Sequence, residues 1–261
     1  MSEISPFSLG GKVVIQFGGT GLLGRSLVLA LAQAGATLVV ASRNRESMGA
    51  LSKSEGSAAK DFQIEAVDIS SETSIHHLRD RVLAQHGRVD GIVFNAVNRT
   101  MKGFGDKLSS WETSMVTNAT GFFATVRTFG DVMAAQRGGS IVNIASMMGM
   151  VGMNPWLYGE KGVSPSPDYF FHKGGMINLT RYLASHYGRQ GVRVNVVSPG
   201  GIYNPEKRQA DEFLERYNPM TMLGRMAHAS EIGGATVFLL SDASTYITGI
   251  NLPVDGGYTA K

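Results

Sequence analysis

The stretch 13-VVIQFGGTGLLG-24 decides the fold class of this chain. Its first five residues form a short apolar run that ends at glycines, which predicts a buried strand. From Leu22 to Ala34 apolar residues recur at helical spacing, and Gly35 supplies a helix stop. The stretch therefore predicts a strand that leads through a tight glycine turn into a helix.

The same alternation of short apolar runs and longer amphipathic segments continues along the chain. Strands that alternate with helices indicate a parallel sheet covered on both faces. No Pro- or Ser-rich linker divides the chain, so we expect residues 1–261 to form one doubly wound α/β domain that binds ligands at the carboxyl ends of its strands. Further strands are predicted at residues 37–41, 62–67, 91–94, 140–145, 192–197 and 250–254, and further helices at 71–86, 109–137, 169–189 and 230–240.

Composition excludes several functional classes. Among 261 residues there are 33 Gly, which neither repeat every third position, as collagen requires, nor crowd into low-complexity tracts. The absence of Cys excludes disulfides, thiolate catalysis and Cys-based zinc sites, and we predict no metal site. The net charge of +3 comes without a basic run, so nucleic acid is not an expected partner. We expect no signal peptide and no membrane span, and therefore a cytoplasmic protein.

The glycines of the first turn match two dinucleotide-binding patterns. Gly19, Gly21 and Gly24 fit G-x-G-x-x-G, while Gly18, Gly21 and Gly24 fit G-x-x-G-x-x-G. Such glycines permit a tight turn and the close approach of a pyrophosphate, which binds the free N–H groups at the start of the helix. A glycine-rich chain also produces the pattern by chance, so a plain tight turn is the alternative. The position between a predicted strand and a predicted helix favours dinucleotide binding.

The end of the second predicted strand bears on the choice between NAD and NADP. Chains that bind NAD usually carry Asp or Glu here for the ribose 2′-hydroxyl. Residues 41–45 read ASRNR and hold no carboxylate, whereas Arg43 can form a charge-assisted pair with a 2′-phosphate. We therefore expect NADP(H), with NAD(H) possible; the alternative is that Arg43 and Arg45 are solvated loop residues beside Glu46.

Tyr169 and Lys173 stand four residues apart on one predicted helix face. A neighbouring ammonium stabilises a phenolate, which makes the phenol a usable acid–base group. Tyr203 and Lys207 have the same spacing, but Pro205 between them disfavours a helix and a shared face. The first pair is the better candidate, although such a pair also occurs as an ordinary feature of helix surfaces.

With these motifs and others in the same order, the chain resembles the short-chain dehydrogenase/reductase family. The resemblance extends from Gly11 to about Tyr258 and so covers nearly the whole chain. Its further elements are Asp68-Ile69 after the third strand, Asn95-Ala96 after the fourth, Asn118 in 116-VTNATG-121, Ser146 at the end of 139-GSIVNIAS-146, Arg193-Val194-Asn195, Ser198-Pro199-Gly200-Gly201, Thr248-Gly249 and Asp255-Gly256-Gly257.

The resemblance implies a nicotinamide-dependent oxidoreductase of Rossmann type. In it Tyr169 exchanges a proton with the substrate oxygen, Ser146 orients that oxygen, and Lys173 stabilises the phenolate and holds the nicotinamide ribose. Asn118 anchors a water that links Lys173 to solvent. Family members usually form tetramers, so we expect a homotetramer or a homodimer. The cofactor contacts that the resemblance implies are Gly18, Thr20, Leu23, Gly24, Ser42, Arg43, Asn44, Asp68, Ile69, Asn95, Ala96, Tyr169, Lys173, Pro199, Gly200 and Ile202.

The chain departs from the family pattern at several places. Leu22 and Phe17 replace a usual Gly and Thr of the phosphate loop, which should therefore differ locally. Ser146 and Tyr169 are 23 positions apart, more than is usual, because of an insertion at about residues 154–168. Loops grafted on a rigid scaffold commonly carry specificity, so we expect this insertion to form a substrate loop.

Three residues are candidates for contact with a small-molecule substrate. Arg99, after the fourth strand, can pair with a carboxylate, while Asn154 and Trp156 of the insertion suit a polyhydroxylated compound. We expect a sugar, polyol or sugar acid. The runner-up is a 3-oxoacyl thioester or other apolar ketone, for which Met147, Met148, Met150 and Met153 would form an adaptable apolar wall. A hypothesis of a different class is a non-catalytic dinucleotide sensor, against which the intact Asn118, Ser146, Tyr169 and Lys173 argue.

Overall fold

A computed structural model describes residues 5–43, 62–158 and 166–261 of the chain. Within these ranges seven parallel strands form one sheet in the order β3-β2-β1-β4-β5-β6-β7. The order reverses between β1 and β4, which creates the crevice where ligands bind in such sheets. The strands are β1 (Val13–Phe17), β2 (Thr37–Ser42), β3 (Phe62–Ala66), β4 (Gly91–Phe94), β5 (Gly139–Ile144), β6 (Val192–Pro199) and β7 (Asn251–Val254).

Helices cover both faces of the sheet and give the molecule two apolar layers. On one face α2, α4 and α5 bury residues such as Ile75, Phe129 and Leu183; on the other α1 and α7 bury residues such as Leu27 and Ile232. Strand residues alternate between the layers, because successive side chains point to opposite faces. The helices are α1 (Leu22–Gln33), α2 (Glu72–His86), α3 (Leu108–Met115), α4 (Phe122–Ala135), α5 (Pro167–Tyr187), α6 (Asp211–Tyr217) and α7 (Glu231–Leu240).

The predicted fold class is confirmed, and the strands lie within two residues of the predicted bounds. The predicted helix at 109–137 is divided by a π-helical segment, Val116–Gly121, which separates α3 from α4. A side chain on Gly121 would overlap the carbonyl of Ile69, so the helix lies very close to the loop after β3. Helix α6 was not predicted, because seven residues are too short to show a helical period.

Parts of two predicted features lie outside the described residues. Asn44, Arg45 and Glu46 do so after β2, and residues 159–165 do so in the insertion. Elsewhere the insertion begins with a short 3-10 turn, Pro155–Leu157, in which Leu157 is buried. Within the described part of the chain, no helix combines the length and the apolar character needed to cross a membrane.

A buried polar contact joins α3 to α5. The hydroxyl of Ser114 donates to the carboxylate Oδ2 of Asp168, and both side chains are almost fully buried. The same hydroxyl accepts a hydrogen bond of 2.9 Å from the side-chain amide of Asn118. Separation of the helices would take this donor away from a buried carboxylate, so the contact constrains how the two helices cross.

We predict that Ser114→Ala destabilises the protein by about 2 kcal/mol, since it removes a donor from a buried carboxylate. The free energy of unfolding, measured with denaturant at fixed protein concentration, checks this. Ser109→Ala on the exposed face of the same helix is the matched control and should change stability by less than about 0.5 kcal/mol. Equal unfolding midpoints for the two variants would contradict the role of this contact.

Candidate active site

A cleft of about 460 Å³ opens at the carboxyl ends of the central strands. It brings together residues that follow four different strands, as expected where the strand order reverses. Ser146, Tyr169 and Lys173 line it beside the glycine turn and the loop after β6. The described residues that line it are Gly21, Leu22, Leu23, Gly24, Asn95, Val97, Arg99, Ile144, Ala145, Ser146, Met147, Met148, Ser166, Tyr169, Lys173, Pro199, Gly200, Gly201 and Ile202.

The glycine turn is closely packed at two of its glycines and open at a third. Gly18 has a φ of +84°, and a side chain there would overlap the backbone of Ala96. Gly24 packs directly on the carbonyl of Gly18, where no side chain fits. Gly21 differs, because a side chain on it would meet no atom within 4 Å. Its backbone thus faces open space at the start of α1, where helix N–H groups favour an anion.

Two side chains hold this turn in place from inside the sheet. Asn95 donates through its side-chain amide to the carbonyl of Gly18 at 2.8 Å, and Gln16 of β1 donates to the carbonyl of Gly24 at 2.8 Å. Both carbonyls are thereby turned towards the sheet. The turn is therefore fixed before any ligand binds, although Phe17 and Leu22 depart from the family pattern.

A second, smaller cavity of about 110 Å³ lies beyond the turn, at the ends of β2 and β3. Asp68, also predicted here, is exposed and is not among the residues that line this cavity. Hydrogen bonds from the hydroxyl and N–H of Ser70, with a contribution from the charge of Arg43, lower the pKa of Asp68. The predicted cofactor residues Gly18, Thr20, Ser42, Arg43, Ile69 and Ala96 line the cavity.

Lys173 is buried where α5 meets the end of β5. Its ammonium group donates to the carbonyl of Ile144 at 2.6 Å, and Nζ lies 5.7 Å from the ring centroid of Tyr169. Burial, and secondly the charge of Arg99, lower the pKa of Lys173 to about 7. One carbonyl uses one of the three ammonium hydrogens, so Lys173 can also donate to a ligand in the cleft.

Ser146 follows β5 and lines the cleft, and its hydroxyl oxygen accepts the N–H of Met148 at 3.2 Å. The hydroxyl hydrogen therefore remains available to an oxygen in the cleft. The rival pair does not have this arrangement. Residues 203–207 are not helical, because Asn204 accepts the N–H groups of Glu206 and Lys207 in a turn that contains Pro205.

Asn118 lies in the π-helical segment and does not line the cleft. Its side-chain oxygen accepts the N–H of Asn98 at 2.8 Å, and its side-chain nitrogen donates to the carbonyl of the same residue at 2.7 Å. Asn118 therefore fixes the loop after β4. Its predicted role as the anchor of a water stays a prediction, since most of its hydrogen-bonding capacity is already used here.

Sequence reasoning missed three buried polar residues behind Tyr169. Ser114 and Asp168 form the contact described above, and His172 packs edge-on against the Tyr169 ring, with centroids 5.3 Å apart. Burial, and secondly the charge of Lys173, lower the pKa of His172 to about 4, so the ring is neutral at pH 7. The sequence signal that could have identified Asp168 and His172 is their i, i+4 spacing, which places them on one face of α5, and that face is buried.

The three candidate substrate residues are placed differently. Arg99 lines the cleft, with its guanidinium carbon 4.8 Å from the centroid of the Tyr169 ring. Asn154 accepts the N–H of Trp156 and caps the 3-10 turn, and Trp156 is 62% exposed. Neither is among the described residues that line the cleft, so their contact with substrate stays a prediction.

The four methionines do not form one continuous wall. Met147 and Met148 line the cleft, whereas Met150 and Met153 are exposed at 39% and 42%. Met147 is itself buried in a separate apolar cluster with Leu157, Tyr217 and Met226. Only the first two methionines therefore give the described part of the cleft an apolar side.

Known proteins resemble this chain over nearly its whole length. A family model described as enoyl-(acyl carrier protein) reductase matches residues 21–259. The chain is 35% identical over 260 residues to a 2,5-dichloro-2,5-cyclohexadiene-1,4-diol dehydrogenase of Sphingobium indicum, covering 97% of this chain and 98% of the relative. It is 31% identical over 261 residues to a D-threitol dehydrogenase of Mycolicibacterium smegmatis, covering 98% of this chain and 95% of the relative.

Solved structures show the same similarity. A gluconate 5-dehydrogenase from Burkholderia cenocepacia, crystallised with NADP and tartrate, is 26% identical and superposes with a TM-score of 0.87 over 99% of both chains. A short chain dehydrogenase from Leptospira borgpetersenii with bound NAD+ is also 26% identical, with a TM-score of 0.85 over 97% of this chain and 95% of the other. From the family match, these relatives and the shared fold, we conclude that the chain belongs to the short-chain dehydrogenase/reductase family.

Proposed function

We propose that the chain is an NADP-preferring oxidoreductase that interconverts a secondary alcohol and a carbonyl in a sugar, polyol or sugar acid. The observation that carries this proposal is the meeting of Ser146, Tyr169 and Lys173 in one cleft with the glycine turn. The diol, threitol and gluconate dehydrogenases among its relatives support the substrate class. The bound cofactor supplies or accepts the hydride, so the protein has to provide placement and a proton.

The proton in this proposal moves through Tyr169. Its hydroxyl donates the proton to the substrate oxygen in reduction, and its phenolate oxygen accepts the proton of the alcohol in oxidation. Ser146 donates its free hydroxyl hydrogen to the same oxygen and so fixes the oxygen next to Tyr169. Lys173 stabilises the phenolate electrostatically and donates to the nicotinamide ribose. Asn118 holds the loop after β4 and supports a water between Lys173 and solvent.

The cofactor fits the residues that are present. Gly18 and Gly24 permit the tight packing of the turn, Gly21 leaves its backbone open, and the N–H groups at the start of α1 suit the pyrophosphate. The further contacts that we assign are Thr20, Leu23, Ser42, Arg43, Asn44, Asp68, Ile69, Asn95, Ala96, Pro199, Gly200 and Ile202, of which Asn44 lies outside the described residues.

The preference for NADP is assigned to Arg43. This residue follows β2 and lines the smaller cavity, where no described residue carries a carboxylate to receive a ribose 2′-hydroxyl. A guanidinium pairs with a 2′-phosphate through charge-assisted hydrogen bonds, whereas the free hydroxyl of NAD offers it no charge.

The reaction and the substrate class are tested by one assay. Purified protein is mixed with NADP or NAD and a panel of alditols, aldonates and cyclic diols, and cofactor reduction is followed by absorbance at several pH values. The reverse reaction is run with keto sugars, with apolar ketones and with a 3-oxoacyl thioester. Turnover confined to the last two compounds would overturn the sugar and polyol assignment in favour of an apolar ketone reductase.

Tyr169→Phe tests the proton-transfer step. Because the variant lacks only the hydroxyl, we expect kcat to fall about 10²- to 10⁴-fold while the Kd for NADPH, measured by fluorescence titration, stays within about threefold. Tyr182→Phe on the exposed face of the same helix and Tyr203→Phe in the rival pair serve as matched controls. Retained turnover in the Tyr169 variant, or an equal loss in Tyr203→Phe, would contradict the assignment.

Arg43→Leu tests the cofactor preference. Loss of the charge-assisted pair should raise the KM for NADP about 10- to 100-fold and leave the KM for NAD within about twofold. Arg79→Leu on α2 removes an arginine that lines neither cavity and should change neither constant. If Arg43→Leu affects both cofactors alike, the residue does not discriminate between them.

A further inference from the structure

We infer that Arg99 makes the cleft selective for substrates that carry a carboxylate, so that the preferred substrate is a sugar acid rather than a neutral polyol. The inference rests on the proposed function and narrows it. It assigns to Arg99 the recognition of the substrate's charged group, while Tyr169 and Ser146 act on the reacting oxygen. The chemical class is a polyhydroxylated carboxylate such as an aldonate.

The charge of the cleft is the first observation. Its described lining contains two cationic side chains, Arg99 and Lys173, and no Asp or Glu. Lys173 is buried and is assigned above to the phenolate and the nicotinamide ribose, whereas Arg99 is exposed. No carboxylate of a described residue lies within 4 Å of Arg99. Among the described residues, none neutralises its charge.

The position of Arg99 beside the reacting groups is the second observation. Its guanidinium carbon lies 4.8 Å from the centroid of the Tyr169 ring, on a ring that also faces Lys173. A guanidinium stacked on an aromatic face keeps its N–H edge directed outwards, which suits bidentate binding of a carboxylate. A carboxylate bound there lies within a few carbon atoms of an oxygen that contacts Tyr169.

The third observation is that the backbone on both sides of Arg99 is fixed. Asn118 holds the N–H and the carbonyl of Asn98, at 2.8 and 2.7 Å. The hydroxyl of Thr100 donates to the carbonyl of Ser110 in α3 at 2.8 Å. A recognition residue gains affinity when its backbone is ordered before the ligand arrives, because less conformational entropy is lost on binding.

An electrostatic effect on Tyr169 is the competing role for Arg99. A cation stacked on the phenol would stabilise the phenolate for every substrate alike. Recognition of a carboxylate acts only on substrates that have one. Pairs of compounds that differ only in that group therefore separate the two roles.

The experiment compares aldonates with the alditols of the same carbon number, from four to six carbons, using the full chain and saturating NADP. For wild-type protein we expect the better aldonate to exceed its alditol at least tenfold in kcat/KM. Arg99→Gln should lower kcat/KM for the aldonate about 100-fold, mainly through KM, and leave the alditol within about threefold. Arg99→Lys keeps the charge but not the planar guanidinium that binds a carboxylate through two hydrogen bonds. It should therefore recover only part of the lost kcat/KM for the aldonate.

Lys102→Gln is the matched control, because this exposed cation belongs to the same loop but does not line the cleft. It should leave both substrates within about twofold. An equal loss for aldonate and alditol in Arg99→Gln, or no loss for either, overturns the inference. Wild-type preference for the alditol overturns it as well.

Failure of the proposed function would give a different result. In that case no alcohol or carbonyl compound of either type is turned over. Calorimetric titration of the NADP-loaded protein with an aldonate then still tests Arg99, because binding needs no turnover. Tighter binding to wild type than to Arg99→Gln by at least tenfold supports the carboxylate site, and equal binding overturns it.

Discussion

The site depends on one buried ammonium group. Lys173 lies almost wholly inside the protein, with the carbonyl of Ile144 at 2.6 Å as its hydrogen-bond partner. Burial of a charge is unfavourable unless partners surround it, and here burial lowers the lysine pKa to about 7. The remaining ammonium hydrogens are available to a ligand in the cleft that Lys173 lines. The ammonium group of Lys173 therefore connects α5 to the end of β5 and can also bind a hydroxyl-rich ligand.

Buried polar contacts also hold the loop after β4 and helix α5 around this ammonium group. Asn118 holds the loop after β4, Ser114 links Asn118 to Asp168, and Asp168 directly precedes Tyr169 in α5. The loop that carries Arg99 and the helix that carries Tyr169 are thus connected through three buried side chains. A π-helical segment accommodates Asn118 in this arrangement, and such segments often occur at functional sites. Together these contacts form the frame in which this NAD(P)-dependent oxidoreductase works.

The sequence predicted those parts of the molecule that local patterns determine. Short segments rich in apolar residues predicted the seven described strands, and the glycine turn was recognised from its position between β1 and α1. Pro205 distinguished the helical Tyr–Lys pair from its non-helical rival. The contact of Ser114 with Asp168 joins residues 54 positions apart and depends on how two helices cross, which no local period encodes. Asn154 accepts the N–H of Trp156 in a local turn, and its contact with substrate stays a prediction.

Lys173→Met tests the central role of the buried ammonium most directly. Methionine has a similar length and removes a buried charge, so the protein should remain folded with an unfolding midpoint no lower than wild type by more than a few degrees. We predict that NADPH titration then gives a Kd raised about tenfold or more, together with loss of turnover, whereas loss of the Tyr169 hydroxyl affects turnover alone. An unchanged Kd for NADPH in a folded Lys173→Met protein would contradict the account.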